Sequence, residues 1–212
     1  MPTSPLRTAV FCNDTWHPAS IIQKGLSSLA RDDFRFEWLD TPEAWSGASF
    51  THYDFIILAK GNTTSPGDQS PWLTPIIEEK FLEHVRSGKG LLCLHAGTCY
   101  RNNPKLRALA GGAFIQHPPP CPVALEPRAD HPITAGVSAT TFHDEHYEMA
   151  FDDARADVFL RTSSQHGSQP AGWTRAEKGR VCVLTPGHTE EAWSNAQFQK
   201  LLDNALRWTA TC

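Results

Sequence analysis

The sequence predicts an α/β fold: an open, mostly parallel sheet with helices on both faces. Short, continuous apolar runs alternate with segments of helical period, and Gly, Pro, Asn or Asp punctuates each change. Strands in that rhythm imply right-handed βαβ crossovers. A length of 212 residues suits one domain, 1–212, with a sizeable core.

The elements follow in order. Ala9 to Cys12 is a buried first strand ending in Asn13-Asp14, and a helix from Pro18 to Ala30 turns Ile21, Ile22, Gly25, Leu26 and Leu29 to one side. Phe34, Phe36 and Trp38 alternate with polar residues, as on a strand near the sheet edge. Phe55 to Ala59 is a continuous strand, and Thr63 to Trp72 reads as a surface loop. A helix from Pro75 to Ser87, stopped by Gly88-Lys89-Gly90, leads to the strand Leu91 to Leu94. The proline-rich middle, Pro118 to Pro132, reads as irregular with short antiparallel strands such as Val123 to Glu126. Strands at Val158 to Arg161 and Val181 to Thr185 precede a closing helix, Asn195 to Thr209.

Composition excludes several roles. A formal charge of −4 with no aromatic-interleaved basic run gives no footprint for nucleic acid. No apolar stretch approaches the roughly 20 residues that span a bilayer, and Met1-Pro2-Thr3-Ser4-Pro5 lacks the features of a signal peptide. The six cysteines, Cys12, Cys93, Cys99, Cys121, Cys182 and Cys212, form no C-x-x-C pair or disulfide framework. The expected setting is therefore reduced and cytoplasmic, with a small molecule as partner. A homo-oligomer is compatible with the sequence and not fixed by it.

Open parallel sheets bind ligands beyond the carboxyl ends of their strands. Those ends carry Asn13, Asp14 and His17; then His95; then Asp144, Glu145, His146 and Tyr147; and finally His188 with Glu190. Two uses suit such histidines. One is acid/base catalysis, because imidazole titrates near neutrality. The other is a single divalent metal on His95, His188 and a third ligand, His17 or Glu145, with zinc the best match to imidazole plus carboxylate. His117 before three prolines and His131 before Pro132 read as turn histidines. His52, His84, His143 and His166 read as surface positions. Trp16, Trp45, Trp72, Trp173 and Trp193 supply one or two faces on which a sugar could stack, the rest being packing residues.

Several blocks in order resemble the ThuA-like (trehalose-utilisation) family: Gly88 to His95, Gly111 to Pro118, His131 to Gly136, Asp144 to Tyr147, Gly179 to Val181 with Pro186-Gly187-His188, and the helix Phe198 to Trp208. The resemblance implies a three-layer flavodoxin-like, class I glutamine amidotransferase-like fold. Amidotransferases place a nucleophilic cysteine in a Gly-x-Cys-x-Gly elbow and pair it with a later His-x-Glu. Here Cys93-Leu94-His95-Ala96-Gly97 puts His95 at that position, while His188-Thr189-Glu190 keeps the later spacing. Glutaminase chemistry is thus not expected, and Cys99 would serve as nucleophile only with a shifted elbow. The family implies a sugar substrate, trehalose or a related disaccharide or 3-keto derivative, and hydrolysis or isomerisation. The catalytic candidates are His95, His188, Glu145 and Glu190, with Glu190 orienting His188. Asn13, His17, Tyr147 and His117 are the substrate-binding candidates, and His95, His188 and His17 the metal candidates. A non-catalytic sugar-binding or regulatory protein is the alternative.

Overall fold

Continuous apolar runs form the centre of the sheet, and capped amphipathic segments cover it. A computed structural model describes residues 4–29 and 32–210; Met1, Pro2, Thr3, Cys212 and Ala30, the expected end of the first helix, lie outside the described residues. In chain order the elements are β1 (Leu6–Phe11), α1 (Ala19–Ser27), β2 (Phe34–Leu39), α2 (Pro42–Ser46), β3 (Phe55–Leu58), α3 (Pro75–Arg86), β4 (Gly90–Leu94) and α4 (Pro104–Ala110). They continue with β5 (Gly112–Gln116), β6 (Cys121–Pro127), β7 (Thr140–Asp144), β8 (Glu148–Phe151), β9 (Asp157–Ser164), β10 (Gly167–Ala176), β11 (Arg180–Leu184), α5 (Glu190–Ser194) and α6 (Ala196–Ala210).

The main sheet runs β2-β1-β3-β4-β11-β10-β9-β6-β7, and β5 with β8 makes a separate two-stranded ribbon. Strands β2 to β11 in that order are parallel, and the remaining four pair antiparallel. Side-chain alternation sends Val10, Ile57, Leu92 and Leu94 to one face, where Leu26, Leu201, Leu202 and Leu206 cover them. Ala9, Phe11, Ile56, Leu58, Leu91 and Cys93 face Phe81, Val85, Leu106 and Leu109 on the other. This is the expected three-layer arrangement, and β2 lies at the sheet edge as its alternating pattern predicts.

Local chemistry sets where the helices start. Thr74 Oγ1 accepts from Ile77 N with Pro75 in the first turn, and Thr189 Oγ1 accepts from Ala192 N to begin α5. Among the described residues no helix is long and apolar enough to cross a membrane.

Two expectations are corrected. Trp72 is buried, stacked 5.5 Å from Phe11 with its indole N–H on the Gly61 carbonyl, so the loop from Thr63 ends in the core. His84 is buried too, bonding through Nε2 to the Gly90 carbonyl. In the proline-rich middle the expected antiparallel strand is present as β6. Pro170 sits beside a register shift in β10, where a missing N–H does least harm to the ladder.

Candidate functional site

The parallel strands end on one rim, and the segments that follow β1, β3, β4 and β11 line a single cavity of about 780 Å³. The segment after β1 brings Trp16 and His17, that after β3 brings Gly61, Asn62 and Thr63, and that after β11 brings His188. The β7–β8 connection adds Glu145 and Tyr147, and His117 follows β5. His95, directly after β4 and 3% exposed, lies behind that lining against Glu145 and Tyr147.

His95 occupies a strand-to-helix elbow with φ +47°, a left-handed conformation that costs a non-glycine residue about 1–3 kcal/mol. The elbow passes close to β3. A Cβ at Gly97 would come 1.8 Å from the Leu58 carbonyl oxygen, so glycine is required there. His95 Nδ1 donates to the Thr185 carbonyl at 2.7 Å, leaving Nε2 for Tyr147 and Glu145. That nitrogen is 2.9 Å from the Tyr147 hydroxyl and 3.4 Å from Glu145 Oε2. Both protonation states therefore have a partner: neutral imidazole accepts the Tyr147 O–H, and imidazolium donates to Glu145.

Two buried carboxylates hold the flanking loops. Asp14 accepts the backbone N–H of Trp16, His17 and Gly61 and the His17 Nδ1–H at 2.8 Å. Burial works to raise the Asp14 carboxyl, but the bond and charge of His17 and the Gly61 and Trp16 N–H groups outweigh it and hold it below its usual value. Asp144 accepts the N–H of Gly187, His188 and Thr189 at 2.8–3.0 Å. Gly187 takes φ +129° in that turn, which presents His188 to the cavity.

The result is a cluster. The His17, His95 and His188 rings lie 4.9–5.5 Å apart, and one ligand atom from each, with one from Glu145, lie within 4.8 Å of one another. His17 Nε2 and His188 Nδ1 are buried and accept or donate no hydrogen bond. Glu145 meets His95, His117 and His188 at 3.2–3.4 Å. Burial pushes its carboxyl up, yet the hydrogen bond from His95 and the charges of the three histidines win, and the net shift is downward. His188 is pushed down, by burial first and by His95 and His17, against the pull of Glu145. Cys99 also lines the cavity, its thiol pushed up to about 12 by burial, which leaves it a weak nucleophile at neutral pH.

A family described as trehalose utilisation, ThuA, matches residues 7–209. The chain belongs to the ThuA family. Among solved structures it is similar to a ThuA-like protein from Parabacteroides merdae (17% identity, TM-score 0.82, 98% of this chain and 91% of that one). A ThuA-like protein from Bacteroides uniformis matches at 20% identity and TM-score 0.73, covering 99% and 93% of the two chains. The PurLQS structure from Thermotoga maritima matches at 17% identity and TM-score 0.63, covering 97% and 99%, which places the ThuA fold among glutamine amidotransferase-like folds. No curated protein matches the sequence.

Within this ThuA chain the strand-end candidates separate. His17, His95, His188, Glu145, Tyr147 and His117 come together. Asn13 does not: its side chain donates to the Asp40 carbonyl and accepts from Ala19 N at the start of α1, a structural role. Glu190 turns outward, 69% exposed and 4.0 Å from Lys24, so Glu145 and not Glu190 is the carboxylate beside His188. The amidotransferase-like spacing misled because Thr189 caps α5 and Glu190 is that helix's first residue. Asp14 and Asp144 carry roles that their positions in the sequence only hinted at. Trp16 alone of the five tryptophans considered lines the cavity.

Proposed function

We propose that this ThuA-family protein is a metal-assisted acid/base enzyme acting on a sugar, trehalose or a related disaccharide or keto derivative, by hydrolysis or isomerisation. One observation carries the reading: two buried imidazole nitrogens, His17 Nε2 and His188 Nδ1, make no hydrogen bond and sit with Glu145 in one tight group. Buried polar atoms are nearly always satisfied, and a divalent cation satisfies both nitrogens at once with Glu145 as a third ligand. Asp14 behind His17 is the kind of outer carboxylate that orients a ligating imidazole and raises its basicity.

The set His17, His188 and Glu145 is a two-histidine, one-carboxylate arrangement, which leaves a position for substrate or water. His95 can join it only by giving up the Tyr147 hydrogen bond, because its Nε2 has one lone pair. In this reading His95 with Tyr147 moves the proton, switching between accepting from the phenol and donating to Glu145. A bound ion would polarise a carbonyl or hydroxyl oxygen of the substrate. Glutaminase chemistry is set aside because the elbow carries His95 and the cavity thiol is protonated.

The test is elemental analysis of tag-free protein beside His17→Ala and His188→Ala, with turnover of trehalose and its 3-keto derivative. The expected result is about one equivalent of a divalent ion, zinc being the best match, lost in both variants. Chelation should abolish turnover and the metal restore it. Tyr147→Phe should keep the metal and lower kcat by about 10²–10⁴. No bound metal after reconstitution sinks the metal centre, and metal-dependent binding without turnover favours a sugar-binding protein.

A further inference from the structure

The cavity has a second chemical feature that the histidine cluster does not use. Its lining holds two formally charged side chains, Glu145 and Arg101. Glu145 is engaged by three histidines. Arg101 is exposed, and among the described residues no carboxylate comes within 4.0 Å of its guanidinium. Several other arginines lie against acids, such as Arg107 on Asp152, Arg128 on Asp157 and Arg175 on Asp153. The chain carries 23 acidic residues against 19 basic ones, yet the unpaired charge in this cavity is positive. A planar guanidinium with a free fork matches carboxylate and phosphate oxygens two at a time.

The same lining carries an exposed aromatic face. Trp16 is 60% exposed, though its backbone is pinned by Asp14. A large aromatic side chain on a held backbone and left in water in a cavity lining offers the flat apolar surface on which the C–H face of a sugar ring stacks.

We infer that the cavity takes an anionic sugar, one whose carboxylate or phosphate pairs with Arg101 while its ring stacks on Trp16. This rests on the proposed sugar chemistry of the same site and narrows its substrate class. Arg101 is then a specificity-determining residue: it selects the charged sugar and takes no part in proton transfer.

The experiment is calorimetric titration of the protein with glucose, glucuronate and glucose 6-phosphate, with metal content measured on each preparation. At least one anionic sugar should bind roughly tenfold tighter than glucose, as a hydrogen-bonded charge pair warrants. Gain with glucuronate alone identifies a sugar acid, and gain with the phosphate alone identifies a sugar phosphate. Arg101→Gln should remove the advantage and Arg101→Lys keep part of it; neither side chain holds the fold together. Trp16→Ala should weaken all three sugars by a similar factor. Equal affinity for neutral and anionic sugars overturns the inference, as does an advantage that survives Arg101→Gln or no measurable binding of any of the three. Because the readout is binding, metal-free protein with an Arg101-dependent preference sinks the metal centre alone. Metal-loaded protein without that preference sinks this inference alone.

Discussion

Two groups of histidines in this molecule, His84 with His131 and His17 with His95 and His188, do opposite things. His84 and His131 are spent on structure. His84 bonds the Gly90 carbonyl from inside α3, and His131 accepts from Ile133 N while stacking on Phe159 at 4.7 Å. His17, His95 and His188 each use one nitrogen or their backbone to be held, and present another nitrogen to a shared cavity. What separates the groups is convergence with a carboxylate. A desolvated imidazole is ordinary, but three within 5.5 Å around Glu145 would repel one another as cations and attract one.

The largest effect should come from the converging group. Removing His188 takes away a lone pair that supports no packing, so His188→Ala should lose bound metal and reduce turnover by about 10³-fold or more. The metal-free variant should melt close to the metal-free wild type. A variant that unfolds but keeps its metal when folded would place His188 with His84 and erase the distinction.

The structural group should reveal itself in acid. Burial drives the His84 pKa from 6.5 down to about 4. Between those values the unfolded chain binds a proton that the folded chain refuses, so stability rises with pH across the window and falls as pH drops from 6.5 towards 4. The full difference is about 3 kcal/mol. Denaturant melts of wild type and His84→Leu over that range test it. The variant should be weaker at pH 7, having lost a bond to Gly90, but its curve should fall less steeply. Parallel curves would mean that His84 does not titrate differently on folding.

How much of this was legible in the sequence follows from the same physics. The parallel half of the sheet announces itself because strands buried on both faces, such as Phe55–Leu58 and Gly90–Leu94, are continuous apolar runs. β7, β8 and β10 carry polar alternation, Gly and Pro, and their pairing partners are set by tertiary contacts that no local pattern encodes. His95 and His188 could be found as strand-end residues. Asp14 and Asp144 could not be given roles, because the N–H groups that Asp144 accepts lie 43 to 45 residues away and the Gly61 N–H on Asp14 lies 47 away.

Asp14 offers an intermediate effect. Asp14→Asn keeps an oxygen for the Trp16 and His17 N–H groups that Oδ1 accepts, loses the acceptor for the Gly61 N–H, and weakens the charged partner of His17 Nδ1. Metal affinity should fall by about 10–100-fold, read by competition with a chromophoric chelator. Unchanged affinity would mean that the carboxylate serves only the loop and that His17 orients itself.

The smallest effect tests the carboxylate assignment. A His-x-Glu reading makes Glu190 the partner of His188, whereas Glu145 lies 3.4 Å from that imidazole and Glu190 faces solvent beside Lys24. An exposed ion pair contributes on the order of 0–1 kcal/mol, and Glu190 in the first turn of α5 adds a little through the helix dipole. Glu190→Gln should therefore change kcat and KM by less than about twofold and stability by under about 1 kcal/mol, while Glu145→Gln under the same assay should lose metal and turnover together. If Glu190→Gln instead lowers kcat with the metal still in place, then the α5 entrance rearranges when substrate arrives. The orienting acid would in that case be the one the spacing suggested.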